Sequence, residues 1–142
     1  MKKLLVIPLL LVVPFLTACG SSNQLKCSRE VEEAKRVLII DFDSSRENAT
    51  GVKVEYSIDF SDVKDFSEFG CEDLEDCMQM AEDEVKDCEA DEYYESCKVS
   101  KKTKTSVTIE GTMTKEAVDD ELKGKTYDDT KKMMEAGGYT CK

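Results

Sequence analysis

Residues 52–60 read VKVEYSIDF. Val52, Val54, Tyr56, Ile58 and Phe60 fall on one parity, and Lys53, Glu55, Ser57 and Asp59 on the other. Successive side chains of a strand point to opposite faces, so this alternation predicts a half-buried strand with one face in water. Before it, residues 43–51 (DSSRENATG) are rich in turn formers, and residues 37–42 (VLIIDF) are apolar and β-branched. The two runs read as an antiparallel hairpin with a long turn.

Downstream the period changes. From Asp73 to about Asp87 the apolar residues Leu74, Met78, Ala81, Val85 and Cys88 recur at spacings of four and three, a helical stripe between acidic positions. Two more strands are expected, Tyr93 to Ser100 and Thr105 to Met113, around the basic turn KKTK. Tyr93, Cys97 and Val99 form the inward set of the first, Val107 and Ile109 that of the second. Residues 114–124 (TKEAVDDELKG) read as a short helix. The last helix carries Thr126 and Asp129 in the spacing of a capping box, Met133 and Met134 for its apolar face, and Gly137-Gly138 as its stop. The expected fold is α+β, in the order β-β-α-β-β-α: a four-stranded antiparallel sheet with the helices packed on one face.

The N-terminus gives an address. Lys2 and Lys3 precede a short apolar core, residues 4–15 (LLVIPLLLVVPF), interrupted by Pro8 and Pro14. At a dozen residues it is too short for a spanning helix of ~20, and it reads as a secretory signal over residues 1–18. Leu16-Thr17-Ala18-Cys19 resembles the bacterial lipobox. That resemblance implies cleavage before Cys19, a diacylglyceryl thioether on its sulfur, and an acylated amino terminus. Two or three chains at ~0.8 kcal/mol per buried CH₂ give durable anchoring. The expected location is the extracytoplasmic face of the cell membrane. Residues 19–26 would be the lipidated cysteine and a polar tether, and residues 27–142 a single disulfide-stapled domain. Removing two lysines takes the net charge from −11 to −13. So acidic a surface repels nucleic acid, which is not an expected partner.

A lipobox, two β-β-α units and a capped final helix, residues 125–142 (KTYDDTKKMMEAGGYTCK), together resemble the YehR-like bacterial lipoproteins. The likeness covers most of the mature chain in layout and residues 125–142 in motif. The present chain departs from that pattern in its many cysteines. The resemblance implies no biochemical activity and carries over no catalytic residue.

With Cys19 committed to lipid, six cysteines remain: Cys27, Cys71, Cys77, Cys88, Cys97 and Cys141. An even count in an exported small domain reads as a disulfide framework, with fifteen connectivities possible. Cys77 and Cys88 lie eleven residues apart on one helix, ~16 Å at ~1.5 Å per residue, beyond the ~7 Å that a disulfide tolerates. Cys71 to Cys88 fails for the same reason. Cys27 begins the domain and Cys141 ends it. If those two pair, Cys71–Cys77 and Cys88–Cys97 are what survives, the former requiring the helix to start after Cys71 with Asp73 as its N-cap.

Chemistry is harder to find. Val37 to Ser45 (VLIIDFDSS) resembles the first motif of the haloacid-dehalogenase phosphatases, but a strand follows it after a turn, and too little chain remains for a doubly wound sheet. Asp41 and Asp43 are expected at a strand end, turning the chain. Asp87, Glu89 and Asp91 alternate as in a calcium loop, yet Glu92 and Lys98 stand where an EF-hand needs glycine and glutamate. The chain has no histidine and no paired C-x-x-C, so neither a zinc knuckle nor a histidine-assisted nucleophile is expected, and no metal or cofactor. The expected function is a non-catalytic binding module at the cell surface for a protein, peptide or cell-wall ligand, preferably a cationic one. The alternatives are a purely structural envelope protein and a metal-assisted hydrolase using Asp41 and Asp43. Convergence of those two with a third carboxylate in a concave pocket would favour the enzyme.

Overall fold

The computed structural model describes residues 23–142; the signal segment and Cys19 lie outside them. In chain order the elements are β1 (Gln24–Val31), β2 (Ala34–Phe42), β3 (Ala49–Asp59), a 3₁₀ turn (Phe66–Phe69), α1 (Leu74–Ala90), β4 (Tyr94–Lys102), β5 (Ser106–Met113), α2 (Lys115–Leu122), α3 (Tyr127–Ala136) and β6 (Thr140–Cys141). All six strands form one antiparallel sheet in the order β4-β5-β3-β2-β1-β6. It is an α+β fold whose helices cover a single face, and it has two more strands than the sequence suggests.

The first extra strand begins inside the stretch expected to be tether. Leu25 and Cys27 are fully buried on one parity of β1, so Gln24–Lys26 belong to the sheet. Their pairing with β2 closes through two residues, Glu32 and Glu33, with Val31 opposite Ala34. Such a tight turn usually announces itself by Asn-Gly or Asp-Gly. Here Glu32 adopts the left-handed region at φ 52°, and nothing in its chemistry advertises it. The second, β6, is two residues long and pairs with β1 through Cys27 opposite Cys141 and Ser28 opposite Thr140.

Helix ends follow their signals. The Asp73 side chain accepts from the Asp76 N–H and opens α1; Thr114 and Thr126 do the same for α2 and α3. One corrected detail is the apolar face of α3: Met134 packs against the core, while Met133 is 40% exposed. Another is β4. Tyr93 precedes the strand and is exposed; a bulge between Tyr94 and Ser96 puts Tyr94, rather than Tyr93, on the side of Cys97. Val99 does sit opposite Ile109 on the helix face, but on an outermost strand it stays 37% exposed.

Register makes the helix face a grid. One row runs Leu25–Ile40–Val52, the next Cys27–Leu38–Val54–Gly111–Cys97, the next Arg29–Arg36–Tyr56–Ile109–Val99, and the last contains Val31, Ala34, Ile58 and Val107. Two cores sit on this grid. Leu25, Ile40, Val52 and Val54 pack with Val118 and Leu122 of α2, while Val107, Ile109 and Phe60 pack with Cys77, Met78 and Ala81 around α1. Residues of the opposite parity face away from every helix, with Ser57 bonded to Thr108 and Glu110 between Lys53 and Lys98.

Candidate functional site

Three disulfide-bonded pairs tie the described residues together: Cys27–Cys141, Cys71–Cys77 and Cys88–Cys97, with Cα atoms 4.0, 5.2 and 6.0 Å apart. These are the pairs that geometry left open when the chain ends are joined. Cys27 and Cys141 are directly opposed between neighbouring strands. The flanking Lys26 and Lys142 exchange both backbone hydrogen bonds, so the cysteines occupy a non-hydrogen-bonded pair, where side chains come closest. Cys88 at the end of α1 is bound to Cys97 in β4, fixing the helix over the outer strands.

Asp41 and Asp43 do not converge. Asp41 is exposed and accepts from the Gln24 amide on the face away from the helices. Asp43 organises the β2–β3 turn: its carboxylate accepts from the Asn48 and Ser45 side chains and from the backbone N–H groups of Glu47 and Asn48. Those bonds, Asn48 first and then Ser45, hold its carboxyl down at about 2. Across the same turn Arg46 lies 3.6 Å from the centroid of the Tyr127 ring. Of Asp87, Glu89 and Asp91, the first and last line one cavity at the end of α1 and Glu89 does not join them. Among the described residues no three His, Cys, Asp or Glu side chains are grouped to hold a metal ion.

A groove lies elsewhere, on the helix face of the sheet. α1 rests on β4 and β5, α2 on β3 and α3 on β1, leaving a furrow between α1 and the other two helices. Two cavities, about 360 and 410 Å³, share Arg36, Val54, Asp91 and Tyr94 and form one groove along the sheet. Its floor carries Val54, Tyr56 and Ile109. On one wall stand Glu84 and Asp87 of α1 and its C-cap Asp91, on the other Glu121, Leu122 and Met134. Tyr56, expected inside, is 38% exposed because no helix lies over it. Beside it in the same row, Arg29 donates to the Gly137 carbonyl after α3, whereas Arg36 points at the furrow. Among the described residues neither Arg36 nor any of Glu84, Asp87 and Asp91 is in an ion pair.

Gly111 shapes the groove. A Cβ there would lie 2.9 Å from two ring carbons of Tyr94 and 3.3 Å from the Cys88 sulfur. Its hydrogen lets the tyrosine lie flat on the sheet beside the disulfide. Asp87 and Asp91 stand at the end of α1, which has no basic residue in its last turn and already bears the negative pole of the helix. The groove therefore combines an apolar and aromatic floor, carrying the single cation Arg36, with a wall of several carboxylates. Sequence reading overlooked it, although one signal was there: Arg36 shares its parity with Leu38, Ile40 and Phe42, a charge on an otherwise apolar face.

Comparison with protein-family models, with curated proteins and with solved structures finds no match to this chain.

Proposed function

We propose that this chain is a lipid-anchored extracytoplasmic binding module, and that its groove between α1 and the α2–α3 pair takes a cationic peptide segment with an apolar side. The observation that carries the reading is the uncovered Tyr56 on the floor beneath the carboxylates of Glu84, Asp87 and Asp91. A lysine or arginine side chain suits such a place, its methylene stem against the tyrosines and its charge at the acidic wall. The lipobox-like residues 16–19 and the three cystines of an exported domain support the address. The layout resembling the YehR-like lipoproteins supports it too.

The test has two arms. Fatty-acid labelling of the protein in cells should vanish in Cys19→Ala, and label persisting in that variant would remove the anchor. Titration of the domain with a lysine-rich amphipathic peptide, followed by amide NMR, should move the signals of Tyr56, Tyr94 and Gly111. Binding should weaken as salt shortens the Debye length toward ~8 Å, and should be lost in the Asp87→Lys, Asp91→Lys double variant. Shifts confined to Ser57, Thr108 and Glu110 would place binding on the opposite face of the sheet and reject the groove.

A further inference from the structure

The start of β1 sets how the domain can stand on a membrane. Gln24 is already in the sheet, so only four residues, Gly20 to Asn23, separate it from Cys19. Five residue steps reach at most ~18 Å even when fully extended. The strand that follows is longer than this leash. From Gln24 to Val31 there are seven steps of ~3.3 Å, or ~23 Å along the sheet.

The two ends of the sheet are distinct. Around Gln24 gather the end of β2, the turn organised by Asp43 and the start of α3; the Tyr127 N–H donates to the Arg46 carbonyl there, and Phe42 meets Tyr127 edge to face. Beyond Val31 lie the Glu32-Glu33 turn, the end of β3 and the Thr103–Ser106 turn, joined by the Asp59 N–H to the Glu33 carbonyl and by Thr105 to Asp59.

We infer that the domain rests on the phospholipid surface by the Asp41–Asn48 end and holds the Glu32-Glu33 end away from it. This rests on the lipid-anchor reading of Cys19. Upright inversion would lift Gln24 ~23 Å above the surface on a leash of ~18 Å, so the domain cannot stand on its Glu32-Glu33 end. The short leash also holds an acidic domain where charge alone would not bring it. One consequence concerns the groove. Tyr94 lies toward the membrane end and Tyr56 two rows farther out, so the Tyr56 end of the groove faces away from the lipid.

The experiment uses the processed protein, purified from membranes and reconstituted in phosphatidylcholine vesicles with a headgroup-level quencher. A fluorophore is placed through an unnatural amino acid at position 47 in one sample and position 32 in another, and mass spectrometry of the N-terminal peptide reports the lipid on Cys19. Quenching several-fold stronger at 47 than at 32 is expected, and a twenty-residue Gly/Ser insertion between Ser22 and Asn23 should erase most of the difference. Equal or reversed quenching with Cys19 lipidated would overturn the orientation alone. An unmodified Cys19 would overturn the anchor, and the orientation with it.

Discussion

Gly111 shows how one missing carbon shapes the site. The Tyr94 ring occupies the space where a Cβ would stand, and the Cys88–Cys97 bond closes the other side, so neither neighbour can give way freely. Gly111→Ala should cost about 1–3 kcal/mol, the range for overpacking, measured by denaturant unfolding. In a Tyr94→Ala background the same change should cost much less, since the clash is with that ring; equal cost in both backgrounds would mean the strain lies in the strand itself. Asp43 is the matching case in electrostatics. Its folded carboxyl titrates at about 2 against an ordinary 3.8, so it binds its proton less readily folded than unfolded. The contribution is present above pH ~4 and lost as the pH falls toward 2. A carboxyl NMR titration should show the depressed midpoint, and Asn48→Ala should move it back toward the ordinary value.

At the level of elements, legibility followed the kind of signal. α1 and α3 were readable to within a few residues because Asp73 and Thr126 cap them and Gly137 ends the latter. β3 was readable by alternation, although alternation told only which way Tyr56 faced and not whether a helix would cover it. β1 was lost because its two-residue connection uses glutamate where glycine or asparagine is the expected sign. That misfit predicts its own repair. A left-handed conformation costs an L-residue roughly 1–2 kcal/mol, partly offset by the extra backbone entropy glycine loses on folding. Glu32→Gly should therefore raise stability by up to about 1 kcal/mol in a thermal melt. A lower melting temperature would mean that the Glu32 side chain contributes more than its backbone strain costs.

On the scale of the whole molecule, the groove was illegible because it arises between elements: it depends on which strands each helix covers. The chain ends were more accessible, since the cysteines at 27 and 141 could close the domain if residue 139 onward ran back along the sheet, as β6 does. That closure should dominate stability. β6 is only two residues long, and outside the disulfide it is held by the exchange of hydrogen bonds between Lys26 and Lys142 and by its link to α3. The Cys27–Cys141 bond spans a sequence separation of 114, against 9 for Cys88–Cys97 and 6 for Cys71–Cys77. On the chain-entropy model the long loop contributes ~5 kcal/mol and each short one ~2–3, with denatured-state structure reducing all three. For a domain whose total stability is of order 5–10 kcal/mol, the first is a large share. The Cys27→Ser, Cys141→Ser double variant should show the largest drop in melting temperature, together with loss of amide protection in β6 and at the end of α3. The paired variants at Cys88 and Cys97 or at Cys71 and Cys77 should lose less. Equal drops for all three pairs would mean that loop length is not what sets their contribution, and a protected β6 without its disulfide would mean that the strand holds its place by backbone pairing alone.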